Sequence, residues 1–116
     1  MQKLIDNIVG AIQDKKGKNI VSPDMTELEG TICDAFVVCN ADSTTQVDAI
    51  ADGIVEHLEE KLGEKPRRVE GKTNGAWMAI DYVDVMVHIF LTELRSYYRL
   101  EQLWAYAKTT AYESEE

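Results

Sequence analysis

The sequence predicts one α/β domain in which helices pack on a mixed β-sheet. Apolar residues recur at helical spacing in two segments, and short β-rich apolar runs lie between and after those segments. The predicted order of elements is α-β-β-α-β-β-β-α, which is typical of a layered α/β fold. The length of 116 residues is that of one ordinary domain. Apolar residues make up 45% of the chain, enough for one continuous core.

The first half of the chain contains both long helical patterns. An N-terminal amphipathic helix is indicated by apolar residues that share one face, namely Leu4, Ile5, Ile8, Val9 and Ile12. Residues 19–25 are predicted to be extended, and the apolar run at 35–39 predicts a buried strand. Ser43 is a favourable N-cap for the second helix, and Gly63 is placed to end it.

The second half of the chain is predicted to form three strands and a helical end. Residues 67–70 are extended, and strands at 77–82 and 85–91 are joined by a tight turn at 81–84. Helical spacing resumes from Thr92. We expect the domain to span residues 1–110 and the acidic residues 111–116 to form a disordered tail.

The composition narrows the classes of partner and the cellular location. The chain has 12 Lys and Arg against 21 Asp and Glu, a formal net charge of −9. DNA and free RNA would repel such a chain, whereas a basic protein would attract it. Cys33 and Cys39 match no metal or disulfide spacing, and the sequence carries neither a signal peptide nor an apolar stretch of membrane-spanning length. These features predict a cytoplasmic protein that does not bind a membrane.

A metal-dependent enzyme is the main catalytic alternative. Asp81 and Asp84 in the turn, with Asp34 or Glu101 as a third ligand, resemble the carboxylate cluster of a nucleotidyltransferase. Aspartate is also common in turns because its side chain bonds nearby backbone amides. The chain lacks a glycine-rich phosphate loop and the Gly-Ser and Asp-x-Asp motifs of nucleotidyltransferases. We therefore expect no catalysis, no metal and no cofactor.

The two histidines and the helix-start serine have structural explanations. His57 lies on the second helix, where a solvated position is expected, and His88 lies in an apolar strand, where a hydrogen-bonded structural role is expected. Neither histidine has a metal-ligand partner nearby in the sequence. Capping alone explains Ser43 and the threonines that follow it.

Aromatic residues are concentrated in the last part of the chain. Within about thirty residues lie Trp77, Tyr82, Tyr97, Tyr98, Trp104 and Tyr106. Aromatic residues at these spacings form either a core or a protein-binding patch. The spacing alone leaves both interpretations open.

Several motifs, in the same order, resemble those of the Iojap or ribosomal silencing factor family. The motifs are Glu70-Gly71, Trp77, DYVDVMVHIF at 81–90 and RSYYRLEQLW at 95–104, preceded by DAFVVC at 34–39 and STTQVDAIAD at 43–52. The resemblance extends from the first helix to Trp104 and implies a fold related to nucleotidyltransferases that lacks their catalytic residues. It also implies a protein without enzymatic activity. Because the chain begins at the first family helix without a basic leader, we expect a bacterial protein.

The resemblance implies a function on the ribosome. Family members bind the large ribosomal subunit through its ribosomal protein number fourteen, block joining of the small subunit and so repress translation when nutrients are short. Organelle relatives assist assembly of the large subunit, which is the alternative function expected on the same surface. A homodimer is also expected, and the sequence leaves open whether the dimer must dissociate before it binds.

On this hypothesis, six residues form the partner-binding site. Trp77, Tyr98 and Trp104 supply aromatic anchors, and Asp81, Asp84 and Glu101 supply acidic complements. One departure concerns the turn, where the family usually has glycine and this chain has Val83. Because a β-branched residue tolerates positive φ poorly, we expect a different type of turn or a shifted register.

Overall fold

Six strands and three helices form the described part of the fold. The computed structural model describes the backbone of residues 1–26, 33–71, 76–98 and 108–114, and the side chains of all of these except 96–98. In chain order the elements are α1 (Gln2–Asp14), β1 (Lys18–Pro23), β2 (Ala35–Ala41), α2 (Thr44–Leu62), β3 (Arg68–Glu70), β4 (Trp77–Asp81), β5 (Val85–Leu91), α3 (Thr92–Tyr98) and β6 (Thr109–Tyr112). The predicted α/β class is confirmed.

The strands form one mixed sheet in the order β3-β4-β5-β2-β1-β6. β2 and β5 are parallel, with Ala35 opposite Val85 and Ala41 opposite Leu91, and all other neighbours are antiparallel. The carboxyl ends of β2 and β5 therefore lie side by side. The segments that leave them are in contact at this edge of the sheet, where Thr92 at the start of α3 donates a hydrogen bond to Asp42, which precedes α2.

The two faces of the sheet differ in what covers them. Because side chains alternate along a strand, Val37, Ile80, Val87 and Ile89 point to the face on which α1 and α2 pack, and they form the main core. The opposite face carries a smaller cluster of Met25, Val38 and Phe90, with Val21 and Phe36 against it. This second face presents the candidate site described below.

Both cysteines are buried and free. Cys39 lies fully buried in the main core, where removal from water raises the pKa of its thiol to about 12. It therefore remains protonated at neutral pH and packs as a small apolar side chain.

The second helix begins and ends where its capping residues predict. Ser43 Oγ accepts the backbone N–H of Gln46 at 3.1 Å, and Gly63 takes a left-handed φ of 66° after the last turn. The prediction that His57 is solvated is wrong, because its Nε2 lies 3.1 Å from Asn7 Oδ1 of α1 and the ring is half-buried between the two helices.

The prediction that residues 111–116 form a disordered tail is wrong for the first of these residues. Ala111 and Tyr112 belong to β6, which pairs with β1 and places Tyr112 opposite the buried Ile20. The next two residues also contact the domain: Glu113 O accepts a hydrogen bond from Gln13 Nε2, and Ser114 Oγ accepts one from the backbone of Asn19. The strand escaped prediction because its sequence, TTAY, is short and mostly exposed, so it lacks an apolar alternation. Glu115 and Glu116 lie outside the described residues.

The premise behind the expectation for the turn, that valine would avoid a positive φ at position 83, is wrong. Val83 adopts a φ of +76°, and the backbone N–H of Asp84 donates to Tyr82 O at 3.0 Å, which closes a three-residue turn on Val83. Asp81 Oδ1 accepts the N–H of Val83 at 2.7 Å. These hydrogen bonds hold a β-branched residue in a conformation that normally favours glycine.

Replacing Val83 by glycine should therefore stabilise the protein by about 1 kcal/mol, because relief of backbone strain exceeds the added entropy of the unfolded chain. Val83 is half exposed, so little burial is lost. The free energy of unfolding in urea measures the change. Val83→Ala, which keeps the strained φ, is the control, and an equal gain in both variants would contradict the strain argument.

Candidate partner-binding surface

Trp77 is the large aromatic residue that the described part of the second sheet face leaves accessible. It begins β4 and lies opposite Phe90 of β5, with 38% of its surface exposed. Its ring is nearly parallel to the rings of His88 and Phe90, at centroid distances of 6.0 Å and 6.1 Å. Phe36 meets the His88 ring edge-on at 5.0 Å. The β4–β5 pairing thus produces a rigid aromatic platform, which we define as Trp77, His88, Phe90 and Phe36.

His88 satisfies the one polar group of the exposed tryptophan. Trp77 Nε1–H donates to His88 Nδ1 at 3.2 Å, and because the indole nitrogen is a donor only, the histidine proton must lie on Nε2. Burial lowers the pKa of His88 from 6.5 to about 4, so the ring is neutral and Nδ1 accepts at neutral pH. The predicted structural role of His88 is confirmed. A partner can therefore cover the Trp77 ring without leaving its N–H unpaired.

The buried neutral His88 should make stability depend on pH. In the unfolded chain the ring takes a proton near pH 6.5, whereas in the folded chain it takes one only near pH 4. The unfolded state binds more protons between these values, so stability should fall by about 3 kcal/mol as pH drops through this window. Unfolding in urea at pH 7 and pH 4.5 measures the fall. His88→Asn, which keeps an acceptor but does not titrate, should show a smaller fall, and equal falls would contradict the assignment.

Asp81 is part of the internal structure of the hairpin. Its Oδ2 accepts hydrogen bonds from Arg67 Nε at 3.1 Å and Nη2 at 2.7 Å, and its Oδ1 holds the N–H of Val83. The Arg67 hydrogen bonds, followed by the Val83 N–H, lower the pKa of the Asp81 carboxyl. Only about an eighth of the side chain is exposed. Both oxygens are thus used within the chain, and Asp81 supports the turn that carries Asp84.

Asp84 has an exposed side chain at the tip of the same turn. Its backbone oxygen accepts the N–H groups of Asp34 and Ala35, which fixes the tip to the start of β2. Trp77 and Asp81 stand at opposite ends of β4, roughly 13 Å apart along the strand. The structure therefore does not gather the predicted residues in one spot. It places an aromatic platform at one end of the hairpin and an acidic tip at the other.

The structure does not describe the side chains of three of the six predicted site residues. Tyr98 ends α3, and its side chain is not described. Glu101 and Trp104 lie outside the described residues.

Across the described ranges 1–26, 33–71, 76–98 and 108–114, no three His, Cys, Asp or Glu side chains converge to hold a metal ion. No described helix is long and apolar enough to cross a membrane.

Sequence reasoning missed the residues that support the site. Arg67, which holds Asp81, was not identified from the sequence, and neither were the rings that contact Trp77. Both sets of contacts depend on which residues are neighbours across the strands. Gly71 was noted only as part of a motif, yet its backbone has a φ of +89° and a Cβ placed there would lie 2.0 Å from Trp77 O. The end of β3 thus passes so close to the start of β4 that only glycine fits beside Trp77.

Comparison with known proteins identifies the family. The family model described as "Ribosomal silencing factor during starvation" matches residues 1–116. A ribosomal silencing factor RsfS from Halalkalibacterium halodurans is 38% identical over 112 residues, covering 97% of this chain and 94% of that protein. A crystal structure of a Chromobacterium violaceum protein superposes with a TM-score of 0.86 at 32% identity, covering 98% of this chain and 93% of that one.

A relative of lower identity has a mitochondrial name. The mouse protein named "Mitochondrial assembly of ribosomal large subunit protein 1" is 30% identical over 108 residues, covering 86% of this chain and 44% of that protein. The full-length family match and the bacterial relatives, which share both length and fold, lead to one conclusion. The chain belongs to the ribosomal silencing factor family.

Proposed function

We propose that this protein represses translation by binding the large ribosomal subunit through ribosomal protein number fourteen and so blocking joining of the small subunit. The observation that carries the proposal is the exposed Trp77 ring, whose N–H is already bonded to His88. A rigid aromatic ring without an unmet polar group is well suited to anchor a protein interface. Family membership supplies the ribosomal context for this surface.

Charge favours a basic partner. The chain carries a net charge of −9, and Asp84 is exposed at the hairpin tip, at the end of the hairpin opposite Trp77. Attraction between opposite charges mainly speeds and orients the encounter, and salt screens it. Binding should therefore weaken as ionic strength rises, through slower association more than through faster dissociation.

The contributions of the six site residues differ on this proposal. Trp77 is the central anchor, and Tyr98 and Trp104 extend it from α3 and from the segment that follows. Asp84 and Glu101 face basic groups of the partner, whereas Asp81 acts indirectly by holding the hairpin tip. An interface of standard size, roughly 1,600 Å² in total, is sufficient if a few anchors dominate.

Silencing by this route requires no catalysis. A 13.1 kDa body on the joining face obstructs the small subunit by its volume. Asp81, the candidate metal ligand, is engaged by Arg67, which further disfavours a nucleotidyltransferase. Titration with nucleotides and Mg²⁺ should accordingly give no specific binding, and the protein would act in the cytoplasm, where the subunits join.

The experiment that tests the partner is a titration of purified ribosomal protein number fourteen, with association and dissociation rates measured at low and high salt. Asp84→Lys should slow association by about tenfold at low salt. Asp52→Lys is the matched control, because it changes the net charge equally on α2, across the sheet from Trp77. Equal effects of both variants would show that only total charge matters and would remove Asp84 from the interface.

Assembly of the large subunit is a second candidate function on the same surface. The name of the mouse relative favours it, because that protein is described as acting in assembly of the mitochondrial large subunit. Depletion of the protein in cells separates the two. Excess joined ribosomes are expected for a silencing factor, whereas accumulation of immature large subunits would indicate an assembly factor.

A homodimer is also part of the proposal. Two copies that cover each other's aromatic platform would hide Trp77, so the dimer would have to dissociate before the partner binds. Sedimentation of the protein alone and with the partner tests this order. A dimer that persists in the complex would show that the two interfaces are separate.

A further inference from the structure

We propose that a hydrogen-bond network centred on the buried Asn40 positions α3, and with it Tyr98, for partner binding. The inference rests on the proposed function, because Tyr98 matters only if α3 contributes to the interface. Asn40 lies at the carboxyl end of β2, and α3 leaves the adjacent carboxyl end of β5. The parallel pairing of these two strands brings the side chain and the helix together.

One arm of the network holds the first residue of α3. Asn40 Nδ2 donates to Thr92 Oγ1 at 2.9 Å, and Thr92 Oγ1 donates to Asp42 Oδ1 at 2.7 Å. The other oxygen of Asp42 accepts from Lys18 Nζ at 2.7 Å. The hydroxyl of Thr92 therefore joins a buried amide to an ion pair, and it acts as donor and acceptor at once.

A second arm holds α3 one turn later. Arg95 Nη1 donates to Asn40 Oδ1 at 2.9 Å and also to the backbone oxygen of Asn19. Asn19 lies in the irregular stretch of β1 between Lys18 and Val21, with a φ of +52°, and its Nδ2 also donates to Asn40 Oδ1. The left-handed backbone at Asn19 turns its oxygen toward α3.

Asn40 thus bonds two points on α3, at Thr92 and Arg95, and two points define the direction of a short helix. A seven-residue helix is not stable by itself. Its described side chains are exposed or half-buried, and the large core lies elsewhere, between the sheet and the helices α1 and α2. Among the described side chains of α3, these polar bonds therefore contribute more to the position of the helix than apolar burial does.

The test compares Thr92→Val, which keeps the shape of the side chain but removes the hydroxyl, with Thr92→Ser, which keeps the hydroxyl. Thr92→Val should weaken binding to the large subunit by about tenfold, with a loss of unfolding free energy no larger than the roughly 1–3 kcal/mol that one unpaired buried amide costs, and Thr92→Ser should retain affinity. Amide exchange at residues 93–98 should accelerate in Thr92→Val alone. Unchanged exchange and affinity would overturn the proposal, as would a loss of stability without a loss of affinity.

A double-mutant cycle with Tyr98→Ala tests whether the network acts through Tyr98. If it does, Thr92→Val should cost much less affinity when Tyr98 is already alanine. Fully additive losses would overturn this route. Failure of the unaltered protein to bind the large subunit would instead refute the proposed function, and the exchange measurement would still decide whether the network positions α3.

Discussion

Replacing Trp77 by alanine is expected to lower the affinity for the large subunit by at least about 30-fold, equivalent to roughly 2 kcal/mol. The variant removes the exposed ring that the partner would cover, together with its stacking on His88 and Phe90. It also leaves His88 Nδ1 without its donor. Equilibrium binding to purified large subunits measures the loss, after urea unfolding confirms that the variant is folded.

Two variants test whether Trp77 is a specific anchor or whether any exposed apolar side chain would contribute equally to binding. Val69 is as exposed as Trp77, at 39% against 38%, but its pairing with Ile80 places it on the opposite face of the sheet. Val69→Ala should leave affinity unchanged, and Trp77→Phe, which keeps a ring, should give an intermediate loss. Unchanged affinity in a folded Trp77→Ala variant would remove the aromatic platform from the interface.

Gly71→Ala should destabilise the fold by about 3 kcal/mol or more. The residue has a φ of +89°, and an added Cβ would come within 2.0 Å of Trp77 O and 3.2 Å of Met78 Cα. These atoms are backbone, so the strain is relieved only if β3 and β4 move apart. Since Trp77 begins β4, we expect the same substitution to weaken partner binding. Urea unfolding and subunit binding measure the two effects.

Two other glycines provide matched controls for Gly71. Gly63 has a φ of +66° but open space around a Cβ, so Gly63→Ala should cost only about 1 kcal/mol of backbone strain. Gly10 lies within α1 with open space and an ordinary φ, so Gly10→Ala should stabilise the protein by up to about 1 kcal/mol. Similar losses at Gly71 and Gly63 would contradict the close approach of β3 and β4.

Most elements could be predicted because the patterns that indicate them lie within a short stretch of the sequence. Apolar periodicity and capping residues determined α1, α2 and the β4–β5 hairpin, and these elements agree with the structure. The order of strands in the sheet depends on contacts distant in sequence, so periodicity alone did not yield it. The short exposed β6 lacked a pattern altogether. The proposed relation to nucleotidyltransferases stays a prediction from the family resemblance.

In the candidate site, too, individual residues could be selected from the sequence, but contacts between residues distant in the sequence could not be predicted. Composition and family motifs selected Trp77, but the bond from its N–H to His88 follows from the cross-strand neighbourhood of β4 and β5. Asp81 was expected to face the partner because its salt bridge to Arg67, fourteen residues earlier, has no local signal. Val83 was expected to avoid positive φ because its propensity was considered without the Asp81 bond to its N–H.

The most direct test of the silencing mechanism is a sucrose-gradient association assay with purified ribosomal subunits. The protein is added before the subunits are mixed, and Trp77→Ala serves as the matched variant. We expect the joined-ribosome peak to fall as protein is added, with the protein sedimenting with the large subunit alone and the variant having little effect. Normal joining of the subunits, with the protein remaining at the top of the gradient, would contradict silencing by obstruction.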